Sequence, residues 1–221
     1  MVSNLKLAEV LMVVLIVVSF ALAFYAYPLL PEQVVSHWGA SGEPNGFSSR
    51  EFGAFFLPVL LLGMLALFLV IPRIDPKREN IAQFRNYYNN FILAIMFFMF
   101  YIYALTLVWN INSSFDLVRW MVPGFAGLFF YAGVLIGKAK PNYSIGIRTP
   151  WTLASDSVWN KTHELGGKLF KAVAVISLLG MVFGGEIAFY IFLGPLLAAV
   201  AFLFIYSYVE FEKERKSKKR K

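Results

Sequence analysis

Six stretches of the chain are apolar around their whole circumference, and polar segments separate them: Leu5 to Tyr27, Phe52 to Ile71, Phe91 to Trp109, Trp120 to Ile136, Leu169 to Phe183 and Ile187 to Tyr208. A helix needs about 20 such residues to cross the hydrocarbon core of a bilayer. The pattern therefore predicts an all-α integral membrane protein of six transmembrane helices. The fifth stretch is short and is expected to run backward, as an amphipathic helix, into the polar segment before it. "FGGE" at 183–186 predicts a tight turn, because paired glycines accept backbone angles that other residues resist. The polar remainder gathers in two long segments, 28–51 and 137–168, and in a basic tail, 209–221.

Charge orients this pattern, since Lys and Arg favour the cytoplasmic side. With the N-terminus inside, 18 of the 20 basic residues fall on inner segments, and only Arg50 and Arg119 lie outside. Both termini are then cytoplasmic, 28–51 is an outer cap loop and 137–168 an inner loop. Leu5 to Tyr27 is too long for a signal-peptide core and runs into "YPLLPEQ" rather than a small-residue cleavage site, so it is expected to stay as the first span. The net charge of +7 concentrates in the tail, where "KERKSKKRK" suits anionic headgroups at roughly 1 kcal/mol per basic residue. Membrane lipid, and no direct nucleic acid, is the expected partner of that charge.

Composition agrees with a membrane location: 59% of residues are hydrophobic and 15% charged. There is no cysteine, which excludes disulfides, thiolate metal sites and cysteine nucleophiles. No cofactor and no metal is expected. Ionisable residues such as Glu9, Lys171, Glu186 and Glu210 sit at span ends, whereas pumps and ion-coupled transporters place charges within the span. Transport by this chain alone is disfavoured.

The outer loop reads "PLLPEQVVSHWGASGEPNGFSSRE". "VVSHW" suits an extended piece and "WGASG" a turn, while "EPNG" fits a β-turn in which Gly46 takes a positive φ. His37 is expected to hydrogen-bond within this cap. Glu32, Glu43 and Glu51 match no dense oxygen-ligand spacing.

The inner loop reads "GKAKPNYSIGIRTPWTLASDSVWNKTHELGGKLF". Pro141 is expected to stop the fourth helix, Gly146 to allow a sharp bend, and Pro150 to hold Thr149 extended. Arg148 then stands on a stiff segment. Its planar fork suits a carboxylate, a phosphate or a carbonyl cluster, or it pins the loop to helix ends or to lipid phosphate. From Ser155, the expected N-cap, the pattern turns helical. Val158, Thr162, Leu165 and Leu169 share one face, while Asp156, Asn160 and His163 line a neighbouring polar face. Glu164 and Lys168 have the favourable i, i+4 order, and Trp151 and Trp159 are natural interface anchors. "HELGG" lacks the second histidine of a zinc-hydrolase helix, and His37 lies across the membrane. Asp156 and His163 near a Ser or Thr allow a catalytic arrangement to be drawn, although any polar interfacial helix offers such a set.

The stretch "KPNYSIGIRTPWTLASDSVWNKTHELGGKLF" resembles the signature of the SdpI family of bacterial and archaeal membrane proteins. "LPEQVVSHWGASGEPNGFSSREF" is similar to the small domain of unknown function common at the N-terminus of that family. The resemblance implies a protein giving immunity to a secreted toxic peptide and holding a small transcriptional repressor at the membrane. It carries over Lys140, Pro141, Asn142, Gly146, Arg148, Thr149, Pro150, Trp151, Trp159, His163, Gly166 and Gly167 on the inner side. On the outer side it carries over His37, Gly42, Glu43 and Gly46.

The expectation is thus a non-enzymatic membrane protein whose partners are an extracellular toxic peptide and a cytoplasmic repressor. The alternative is a membrane-embedded enzyme acting on peptide or lipid with Asp156, His163 and Arg148. A third possibility is a structural subunit whose aromatic faces pack against another membrane protein.

Overall fold

A computed structural model describes residues 2–112 and 115–219, with side chains from Leu7 onward. The Lys6 side chain and the last two basic residues of the tail, Arg220 and Lys221, lie outside the described residues. The elements are α1 (Val2–Ala26), which continues into a 3₁₀ turn (Tyr27–Leu29), β1 (Gln33–Trp38), β2 (Pro44–Ser49), α2 (Arg50–Ile74), α3 (Arg78–Gln83), α4 (Arg85–Ile111), α5 (Leu117–Ile136), α6 (Pro150–Ala154), α7 (Asp156–Ser177), α8 (Gly180–Phe183) and α9 (Gly185–Lys219).

Six of these stretches are long and apolar enough to cross a membrane: Leu7–Leu29, Arg50–Ile74, Arg85–Ile111, Leu117–Ile136, Asp156–Phe183 and Gly185–Lys219. They carry apolar side chains outward, among them Phe24, Val59, Phe97 and Val182, as lipid contact requires. The protein is a multi-pass membrane protein. The amphipathic segment from Ser155 is the first half of the fifth span itself, with no break at residue 168. The sixth helix also runs on through the tail to Lys219, where Lys213, Arg215 and Lys218 pair with Glu210, Glu212 and Glu214.

Helix α5 packs between α4 and α7; α9 closes on α7, and α1 lies against α2 and α4. The α5–α7 crossing is close because Gly133 and Gly167 face each other. A Cβ added to either would lie 2.8 Å from the other's carbonyl oxygen, inside contact distance. Small residues let backbones approach where helices meet in lipid.

The buried apolar residues form two clusters. One lies at the end that carries the 137–149 loop and includes Met12, Leu61, Ile81, Met96, Ile145 and Trp159. The other lies at the hairpin end and includes Ala23, Leu30, Val34, Ala54 and Tyr103.

At the hairpin end β1 and β2 pair antiparallel, with an irregular register on both sides of His37. The turn runs from Gly39 to Glu43, with Gly42 at φ +87°, and Pro44 opens β2. The β-turn expected over Glu43–Gly46 is therefore absent, and Gly46 does not take a positive φ. It is constrained by proximity instead, since a Cβ there would lie 2.8 Å from the Cβ of His37. The paired glycines of "FGGE" do turn as expected, at φ +69° and +47°. That turn is held by Asp116, the N-cap of α5, which accepts from Gly185 N at 3.1 Å.

Candidate functional site

The strongest concentration of ordered polar groups lies at the loop end. Helix α5 stops at Ile136, five residues before Pro141, so the loop chemistry, and not the proline expected to do so, ends it. The buried side chain of Asn142 then takes over the role of a backbone turn. Its Oδ1 accepts from Ser144 N (2.9 Å) and Ile145 N (2.6 Å), and its Nδ2 donates to Lys140 O (2.8 Å) and Ile145 O (2.9 Å). An asparagine amide suits this task because it both donates and accepts.

Asp75, in the α2–α3 connection, is 3% exposed and fastens this turn from below. Its Oδ1 accepts from Lys77 N at 2.7 Å, and its Oδ2 accepts from Tyr143 N at 3.0 Å and Ser144 Oγ at 2.5 Å. A carboxylate tolerates burial when several donors replace its hydration. Asn80 adds a bond from Nδ2 to Pro141 O at 2.7 Å. The sequence signal for both was slight: "RIDPKREN" reads first as a basic connector, and only the Asp-Pro step hints at an ordered turn.

The loop then crosses α7 at His163, which lies buried and not on the solvated polar face expected for it. Its ring stacks on that of Trp159, centroids 3.9 Å apart. Nδ1 faces Trp159 O at 2.8 Å, and Nε2 accepts from Ile147 N at 3.0 Å. A carbonyl only accepts, so Nδ1 carries the proton and the imidazole is neutral. Both ring nitrogens are engaged by backbone groups. Trp159 is wholly buried, donating Nε1 to Ala139 O at 2.9 Å, so it anchors the loop to α7 and not the protein to the membrane interface. Asp156 and Asn160 are exposed, as expected of that face.

Gly146, at φ +119°, passes directly over the His163 ring, where a Cβ would collide with Nε2. Gly166 likewise leaves room for the Ile147 side chain. Arg148 is exposed and donates Nη1 to Tyr143 O at 2.5 Å, which makes it a brace across the loop.

Thr149 is extended, as Pro150 requires, and forms a capping box with Thr152 at the start of α6. Its Oγ1 also meets Ser207 Oγ of α9 at 3.0 Å, and Trp151 packs edge-on against Phe204 at 5.0 Å. Ser155 caps α7 and donates to Glu214, while Lys161 reaches the almost fully buried Glu210 at 2.8 Å. Glu164 and Lys168 pair as expected, at 2.8 Å, on the exposed surface.

The residues singled out at this end therefore come together as one folded unit, apart from the exposed Lys140 side chain and Asp156. At the other end His37 Nδ1 meets Asn45 Oδ1 at 2.5 Å, as expected of a cap contact. Glu43 supplies the backbone carbonyl that closes the turn onto Gly39 N. The sequence reading missed Asn110 of α4. Its side-chain amide pairs with the backbone of Val35 like a neighbouring strand, accepting from N at 2.7 Å and donating to O at 3.0 Å. Among the described residues no three His, Asp or Glu side chains gather in a way that would hold a metal ion.

Comparison with known proteins meets this geometry at both ends. The profile of the SdpI/YfhL protein family matches residues 138–207, from the folded loop to the serine that Thr149 touches. A domain of unknown function (DUF1648) matches residues 14–62, which contain the hairpin. The chain is thus similar to the SdpI family in its loop half and to that small domain in its hairpin half. Its relative in Bacillus subtilis (strain 168), Immunity protein SdpI, is 23% identical over 205 residues, 93% of this chain and 96% of the relative. No solved structure matches the chain.

Proposed function

We propose that this protein gives its cell immunity to a secreted toxic peptide. The observation that carries the proposal is the similarity, along nearly the whole of both chains, to a relative named as an immunity protein. The hairpin end faces outward and meets the peptide; the loop end and both termini face the cytoplasm. Among the described residues Arg50 and Arg119 are the basic residues of the hairpin end, whereas the others collect toward the loop end, as the positive-inside tendency requires.

The finer part of the proposal is signalling. Helices α4, α5 and α9 touch the hairpin region at one end and the loop unit at the other. Peptide binding outside that favours one arrangement of these helices changes the affinity of the loop for a cytoplasmic repressor. Arg148, exposed on a braced loop, is the contact residue for that partner.

The test is survival of a toxin-sensitive bacterium that lacks its own immunity protein and expresses this chain or Arg148→Ala at matched membrane levels. Protection by the wild type supports immunity. Loss of protection or of repressor capture in the variant assigns the loop a part in it. No protection by well-inserted wild type against a panel of such peptides overturns the proposal.

A further inference from the structure

Helices α2, α4, α5 and α7 leave a cavity of about 560 Å³ between them, on the side toward the loop end. Its walls are almost wholly apolar, with Phe68, Met99, Phe129, Ile136 and Phe170 among them, and the loop residues Ser144 to Ile147 complete the lining. Along α4 the lining runs from Tyr88 to Met99, eleven steps of ~1.5 Å and so about 16 Å. Half of a ~30 Å hydrocarbon core is about 15 Å. The cavity is therefore one leaflet deep.

At its loop end the polar lining groups are already engaged, Ser144 Oγ donating to Asp75 and the Tyr88 hydroxyl to Phe68 O, and a cation stands beyond Tyr88. Arg85, half-buried at the start of α4, stands over the ring of the wall residue Tyr88, 5.4 Å from its centroid. Its Nε donates to Asn89 Oδ1 at 2.9 Å, which leaves both Nη groups for an outside acceptor. Arg73 adds positive charge, with Glu9 the carboxylate in the same field, and Lys138 lies over the neighbouring Tyr87 at 5.9 Å. A guanidinium fork beside an apolar slot of leaflet depth matches a phosphate attached to an acyl chain.

We propose that this cavity holds an anionic phospholipid, with one acyl chain between α4 and α5 and its phosphate on Arg85. The part of the chain next to the headgroup rests beside Ser144 to Ile147, and its end reaches toward Met99, so an occupied cavity supports the loop from its membrane side. This proposal is independent of the immunity reading.

The full-length protein is purified in mild detergent, exposed to equal amounts of phosphatidylglycerol and phosphatidylcholine, and the retained lipid is counted by native mass spectrometry. Wild type retains phosphatidylglycerol preferentially. Arg85→Gln lowers that preference about fivefold, the scale of one basic residue at an anionic surface. Ala132→Phe, which fills the slot from a wall position, reduces retention of both lipids. Should Ala132→Phe fail to insert, Arg85→Gln decides alone, with monodisperse elution as its control. Equal retention of the two lipids by wild type overturns the proposal, as does an unchanged preference in Arg85→Gln. A second copy of the chain in place of lipid overturns it as well.

Discussion

Gly146 and His163 are packed so closely that only a hydrogen atom fits between the glycine Cα and the imidazole ring. The same ring nitrogen receives the next peptide N–H, from Ile147. Gly146→Ala combines a backbone angle of φ +119° that L side chains rarely adopt with overpacking against His163. It is expected to cost about 2–4 kcal/mol. His163→Ala leaves the Ile147 N–H without its acceptor and costs about 1–3 kcal/mol. Because the two residues share one contact, the double variant is less destabilised than the sum. Thermal unfolding in detergent measures the cycle, and additive losses would refute the shared contact.

Asp75 holds the loop to the α2–α3 connection through three bonds. Asp75→Ala frees the backbone of Tyr143 and Ser144, and the loop then opens locally more often than the helices unfold. Limited trypsin digestion of the purified protein is expected to cut after Arg148 at least several-fold faster than in wild type. Equal cleavage rates would place the loop's stability elsewhere.

Asn110 clamps β1 to α4 through both halves of its amide. Asn110→Ala removes both partners of the Val35 backbone at once, and hydrogen exchange at that amide is expected to accelerate. Asn110→Asp keeps the acceptor and loses the donor, so it protects the amide better than alanine does. If the hairpin end is the peptide-binding end, protection falls in the same order in the survival assay.

The absence of native cysteine makes each introduced thiol unique. Ser41→Cys in the hairpin turn and Ser217→Cys near the end of α9 are both exposed positions. A membrane-impermeant maleimide is expected to label the first in intact cells and the second only after permeabilisation. The reverse pattern would invert the proposed orientation.

The legible and the hidden parts of this protein divide by the range of the interactions involved. Ser155 as a cap, Glu164 with Lys168, the glycine turn at 184–185 and the extended Thr149 before Pro150 all depend on neighbours within a few residues. Each was readable because its partner is close in the sequence. Gly46 was misread because its constraint comes from the opposite strand. His163 and Trp159 were placed on polar or interfacial surfaces because helical periodicity marks a face without saying what covers it.

The sequence by itself determined six spans, the two polar segments and the separation of basic charge, because hydrophobicity over about 20 residues and the exclusion of charge from lipid act locally and additively. It also carried the family motifs. Only the tertiary structure decided that the second segment is a folded unit buried on α7, with Asp75, Asn80 and Ser207 as its distant supports. It likewise decided that Asn110 completes the hairpin. Those contacts join residues roughly 60 to 75 positions apart. Buried polar groups must find partners wherever the packed helices bring them, and that pairing is a property of the assembled bundle.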